Sequence, residues 1–164
     1  MQILSKLFSQ FPLKIISGTL SDVTTNKITA DSRKVQQGDL FVAMAGEYFD
    51  GHKYISNAIE QGAVAIVGEQ ELENLPIPYI RVENARQALA HLAAAYYDHP
   101  ARKLIMLGVT GTDGKTTTSN FLYQILREAN LKVVMISTVN AIIGDEILDT
   151  GFHVTTPDAL DTQR

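Results

Sequence analysis

The sequence predicts an α/β protein with a largely parallel sheet, followed by the opening of a second α/β unit. Three observations carry that expectation. Short apolar runs at 40–45, 63–67 and 79–82 alternate with stretches of helical periodicity at 52–61 and 85–97. The segment 98–102 (DHPAR) then breaks the pattern with proline and charge, which sets a boundary between a domain at 1–98, a linker at 99–102 and a second domain at 103–164. Beyond it, the apolar run 103–107 (KLIML) leads into a glycine-rich turn and another amphipathic stretch, the order strand, turn, helix.

Taken in order, 3–8 reads as a short helix with Ile3, Leu4, Leu7 and Phe8 on its apolar side, and 14–16 as extended. Segment 22–26 has turn composition, and 28–30 resumes a strand. Gly38 and Asp39 form a turn before the buried strand 40–45. In 52–61, Tyr54, Ile55, Ala58 and Ile59 have helical spacing, and Gly62 supplies the stop. Strands at 63–67 and 79–82 follow, then Asn84 as the cap of a helix over 85–97 lined by Ala85, Ala88, Leu89, Leu92, Ala95 and Tyr96. The second domain reads as strand 103–109, helix 116–129, strand 132–137 and a hairpin in 141–150 turning at Gly144-Asp145. Thr156, Pro157 and Asp158 carry the chemistry of a helix start.

Composition narrows the function classes. With 45% hydrophobic and 20% charged residues the chain is ordinary for a globular protein. A net charge of −4 gives no basic face for nucleic acid. The absence of cysteine excludes disulfides and thiolate metal sites. Segment 1–11 lacks the apolar core of a secretory signal, and no run reaches the ~18 apolar residues of a membrane span, so a cytoplasmic protein is expected.

The chemistry is concentrated in 108–118 (GVTGTDGKTTT). Gly111 and Gly114 let the backbone bend until several N–H groups face one anion. A helix beginning near Lys115 adds a partial positive charge of roughly half a unit. In this pattern Lys115 reaches the β- and γ-phosphates of a nucleotide, and the Thr116 hydroxyl coordinates Mg²⁺. The commonest phosphate-loop pattern wants glycine where Val109 stands, so the loop is a variant.

That variant, T-G-T-x-G-K-[ST]-[ST], resembles the ATP loop of the Mur ligase family. Two further segments resemble the tripeptide-forming, MurE-type branch of that family: 30–46 (ADSRKVQQGDLFVAMAG) with Asp50-Gly51-His52, and Thr155-Thr156-Pro157. The MurF-type branch shares the Asp-Ser-Arg segment and is the nearest alternative; a non-catalytic UDP-sugar-binding module is another.

The resemblance implies a UDP-sugar-binding domain followed by a P-loop ATPase domain with a parallel sheet. It also implies that 164 residues hold a fragment, inactive by itself, of a ligase needing ATP and Mg²⁺. The parent activity would add diaminopimelate or lysine to UDP-N-acetylmuramoyl-L-alanyl-D-glutamate through an acyl phosphate, as a step of peptidoglycan synthesis. By the same mapping the ATP site is Gly111, Thr112, Asp113, Gly114, Lys115, Thr116 and Thr117, with Lys115 and Thr116 catalytic and Thr116 the metal contact. The substrate contacts are Ala30, Ser32, Glu47, Tyr48, Phe49, Val154, Thr155 and Thr156.

From spacing alone, Ser32 belongs to a turn with a local Asp31–Arg33 ion pair, and only the resemblance gives it a ligand. His52 reads as a helix-start residue, His91 as helix surface and His99 as linker, while His153 lies near the substrate segment. No histidine pair has metal-ligand spacing. Glu69, Glu71 and Glu73 read as a solvated run.

Overall fold

A computed structural model describes residues 1–9, 15–18, 22–46, 50–149 and 159–163. The chain divides into two compact units, the first built on Met1–Lys103 and the second on Leu104–Thr162.

In the first unit, β1 (Gln2–Ile3) pairs antiparallel with β3 (Thr24–Thr25), and α1 (Leu4–Ser9) follows β1 directly. The main sheet has the order β2 (Ile15–Ser17), β7 (Tyr79–Val82), β6 (Ala65–Gly68), β5 (Leu40–Val42), β4 (Ile28–Thr29). Strands β4 to β7 are mutually parallel, and β2 is an antiparallel edge. Parallel strands covered on both faces must be apolar throughout, and β5 and β6 are buried at every residue. On one face Phe41, Ala43 and Ile66 pack with Val35, Ile55, Ala58 and Ala63. By alternation Leu40, Val42, Val67, Ile80 and Val82 point to the other side and are buried as completely.

The expected helix at 52–61 is a 3-10 turn, Gly51–Tyr54, continued by α2 (Ile55–Glu60). Its stop is Gly62, at φ 101°, a conformation that glycine adopts without penalty. Helix α3 (Ala85–Tyr96) begins as expected: Asn84 Oδ1 accepts from Gln87 N at 2.8 Å. Glu69 Oε1 accepts from Ala85 N at 2.7 Å, which satisfies a second first-turn amide. Glu69 is therefore half-buried and engaged; of the presumed solvated run, Glu71 and Glu73 are exposed. His99, read as a linker residue, is buried.

The second unit departs further from expectation. Pro100–Lys103 is a 3-10 turn, and no strand forms over 104–110. Ile105 is 93% exposed there. An apolar run becomes a buried strand only when ladder partners flank it, and none does so among the described residues. Helix α4 (Lys115–Glu128) forms as expected and buries Tyr123, while Met135 is the buried residue of β8 (Val134–Ile136). Strands β8, β9 (Asn140–Ile143) and β10 (Glu146–Asp149) form an antiparallel meander whose last turn holds Gly144 at φ 62°. The chain's parallel sheet lies in the first unit, whereas the second unit, where a parallel sheet is also expected, holds only antiparallel pairs among the described residues. A short α5 (Ala159–Gln163) is the last element.

Gly51 gives a direct test of the tight chain crossing between β5 and α2. A Cβ added there would sit 2.9 Å from Met44 N and 3.0 Å from Met44 O, both backbone atoms. Gly51→Ala is expected to lower unfolding free energy by about 1–3 kcal/mol in urea titrations. An unchanged midpoint would mean that the Met44 segment yields freely.

Candidate functional site

The glycine-rich turn sits at the start of α4. Gly111 has φ 150° and Gly114, the residue that caps α4, has φ 76°. A side chain at either position would be strained, so glycine is required by the backbone path. The first intrahelical bond is Thr118 N to Gly114 O at 2.9 Å, which leaves the amides of Lys115, Thr116 and Thr117 ahead of the helical ladder. Glycine has no side chain to cap them, and none does. The contrast with α3, whose first turn is satisfied by Asn84 and Glu69, is chemical. One helix start is closed by side chains, the other is open and electropositive.

Lys115 is exposed and folded back on the turn, its Nζ donating to Gly111 O at 2.6 Å and to Thr112 O at 3.0 Å. The ammonium is thus tethered to the loop by two carbonyls that an anionic ligand would replace. Thr112, Asp113 and Thr117 are exposed and Thr116 is half-buried, with Thr116 O accepting from Asn120 Nδ2 at 2.8 Å. Exposure of Asp113 allows its carboxylate to face water rather than bound phosphate. The turn brings together Gly111 to Thr117, all the residues expected at the nucleotide site.

Of the other set, Ala30 and Ser32 lie just past β4, at the carboxyl end of the parallel strands. Asp31 caps the 3-10 turn Ser32–Lys34, its Oδ1 accepting from Arg33 N at 3.1 Å. Arg33 also donates Nε and Nη2 to the two Asp31 oxygens, each at 2.9 Å. The local ion pair exists, and the Arg33 guanidinium holds the Asp31 carboxyl below its usual value of 3.8. Ser32 itself is buried, and the Gln61 side-chain amide, with its nitrogen turned toward the turn, donates to Ser32 O and Val35 O at 3.1 Å each. Glu47, Tyr48, Phe49, His153, Val154, Thr155 and Thr156 lie outside the described residues.

Sequence reasoning underrated the neighbourhood of His52. Its ring is buried at the same carboxyl end. Nδ1 donates to Asp50 Oδ1 at 2.7 Å, and Nε2 accepts from Glu69 N at 2.9 Å and more weakly from Gln70 N at 3.4 Å. Asp50 Oδ2 accepts from Gln70 Nε2 at 3.1 Å, and hydrogen bonding to His52 lowers the Asp50 carboxyl pKa. Tyr79 donates its hydroxyl to Gln70 O at 2.6 Å, and burial pushes its phenol up to about 12. Gly68 leaves the room: a Cβ there would meet the Tyr79 oxygen at 2.7 Å and His52 Nε2 at 2.9 Å. The Asp-Gly-His spacing was the visible signal, but its partners are 17 and 18 residues away. Among the described residues no group of three or more acids or histidines is placed to hold a metal ion. No described helix is long and apolar enough to cross a membrane.

Comparisons with known proteins agree with this geometry. Residues 24–97 match the family described as "Mur ligase family, catalytic domain", and residues 109–164 match "Mur ligase middle domain". A UDP-N-acetylmuramoyl-L-alanyl-D-glutamate--2,6-diaminopimelate ligase of Listeria monocytogenes is 42% identical over 161 residues, covering 98% of this chain and 32% of the relative. A UDP-N-acetylmuramyl-tripeptide synthetase of Treponema pallidum is 44% identical over 149 residues, covering 90% and 27%. A solved structure of a 2,6-diaminopimelate ligase of the first kind shares the fold over 99% of this chain and 32% of its own, with TM-score 0.70 and 22% identity. MurF from Acinetobacter baumannii aligns with TM-score 0.58 and 28% identity over 77% of this chain and 28% of its own. The chain spans about a third or less of the length of these relatives.

The Asp31 carboxyl supplies a test by pH. Because its folded pKa is lowered, its contribution to stability is present above the unfolded value of 3.8 and is lost as pH falls through the folded value. Asp31→Asn should flatten the acid limb of the urea midpoint against pH. Superimposable wild-type and variant curves would show that the pair contributes nothing.

Proposed function

The chain belongs to the Mur ligase family, and from that premise we propose that it carries the nucleotide-handling part of an ATP-dependent amide ligase. The reaction we assign to the whole protein joins diaminopimelate or lysine to the γ-carboxylate of UDP-N-acetylmuramoyl-L-alanyl-D-glutamate, as a cytoplasmic step of peptidoglycan synthesis. One observation carries the reading: the start of α4 is left uncapped by Gly114 in the left-handed conformation, with the Lys115 ammonium tethered beside it. Identities of 42% and 44%, over 98% and 90% of this chain, to tripeptide-forming relatives support this branch.

The residues suit a triphosphate. The amides of Lys115, Thr116 and Thr117 precede the helical ladder and donate to phosphate oxygens. Lys115 would exchange the carbonyls of Gly111 and Thr112 for the β- and γ-phosphates, and the backbone of Gly111, Thr112, Asp113 and Gly114 would supply the rest of the cradle. The Thr116 hydroxyl would hold Mg²⁺, whose charge would offset that of the phosphates. Bound ATP supplies the phosphoryl group that activates the carboxylate; the protein positions it and neutralises charge. Lys115 and Thr116 are the catalytic pair. Ala30 and Ser32, with Glu47, Tyr48, Phe49, Val154, Thr155 and Thr156, hold the nucleotide-sugar peptide. In this reading 1–98 is the UDP-sugar domain, 99–102 the linker and 103–164 the ATPase portion.

Lys115→Ala removes a charge-assisted contact worth about 1.5–3 kcal/mol, so ATP affinity by calorimetry should fall roughly ten- to a hundredfold. Unchanged affinity would place the lysine outside the site. The 164-residue chain incubated with ATP, Mg²⁺, diaminopimelate and the UDP-dipeptide should form no tripeptide product. Turnover by this chain alone would contradict the division of labour proposed.

A further inference from the structure

We propose that His52 is a proton-sensitive latch holding the segment after β6 against the turn that begins α2. The ring is buried and its two nitrogens have different duties: Nδ1–H is given to Asp50, and the Nε2 lone pair receives the Glu69 and Gln70 amides. Only the neutral ring with its proton on Nδ1 can do both.

Protonation does not treat the two sides alike. An imidazolium keeps its bond to the Asp50 carboxylate, which becomes an ion pair, so the ring can gain a proton without leaving its place. At Nε2 the new N–H would point at the Glu69 N–H across 2.9 Å, donor against donor. That contact must open.

The release spreads along bonds already described. Glu69 is held at three points: its N by His52, its O by Arg81 Nε at 3.0 Å, and its carboxylate by Ala85 N at the start of α3. Among the described residues, the titratable and charged groups around the ring are Asp50 on its own segment, Glu69 and Glu71 after β6, and Tyr79 and Arg81 on β7. Arg81 Nη1 also meets Glu71 Oε2 at 3.3 Å. The geometry therefore couples one proton on His52 to the protection of Glu69, Gln70 and the first turn of α3.

The test is hydrogen exchange by NMR on the ¹⁵N-labelled chain between pH 8 and 5, with the His52 ring signal followed in the same samples. As the ring titrates, the protection factors of Glu69 and Gln70 should fall about tenfold or more, with Ala85 following. In His52→Gln, whose side-chain oxygen still accepts but does not titrate, the factors should stay level. Protonation of the ring with Glu69 protection intact would overturn the latch, as would a ring that stays neutral to pH 5 or an equal fall in the variant. The wild-type record decides the matter by itself if the variant does not fold.

Discussion

Burial of β5 and β6 on both faces is the constraint from which the first unit follows. Strands without a polar side must be covered above and below, so α2 lies against one face and the apolar residues of the other are enclosed as fully. Such strands have no polar side chains to offer within the sheet. Chemistry is displaced to their carboxyl ends, where Ala30, Ser32, Asp50, His52 and Glu69 gather. Open α/β sheets generally bind ligands at that end.

The two long helices show how a helix start is either closed or kept for use. Helix α3 begins with Asn84 and receives the Glu69 carboxylate, so its leading amides are engaged inside the protein. Helix α4 begins with a glycine in the left-handed region and engages none through a side-chain cap. Glycine in the cap place of a residue such as Asn84 costs only roughly a few tenths of a kcal/mol in stability. That is a small sum against what several N–H groups converging on one anion contribute. Lys115 resting on its own loop keeps a cation at that point in the meantime.

The second unit has a different balance. Phe121, Ile125, Val134 and Ile143 are exposed along with 104–107, so apolar surface is plentiful and its cover is not found among the described residues. A sheet of three strands with one helix offers limited burial, and among the described residues β8 has a paired neighbour on one side only. The strand expected at 103–109 illustrates the point. Its residues have the right character, but strand formation is a property of pairs.

Local chemistry was legible in the sequence wherever a decision rests on neighbours along the chain. The α/β class, the strand at 79–82, the Asn84 cap, the stop at Gly62 and the loop of Gly111 and Gly114 all follow from turn preferences, periodicity and spacing. Tertiary structure alone decided what depends on distant partners. It turned Glu69 from a solvated acid into a helix cap, made His52 a buried link between segments 17 residues apart, and left 104–107 unpaired. The physical reason is common to all three: a hydrogen bond or a ladder needs two groups, and a sequence read residue by residue names only one of them.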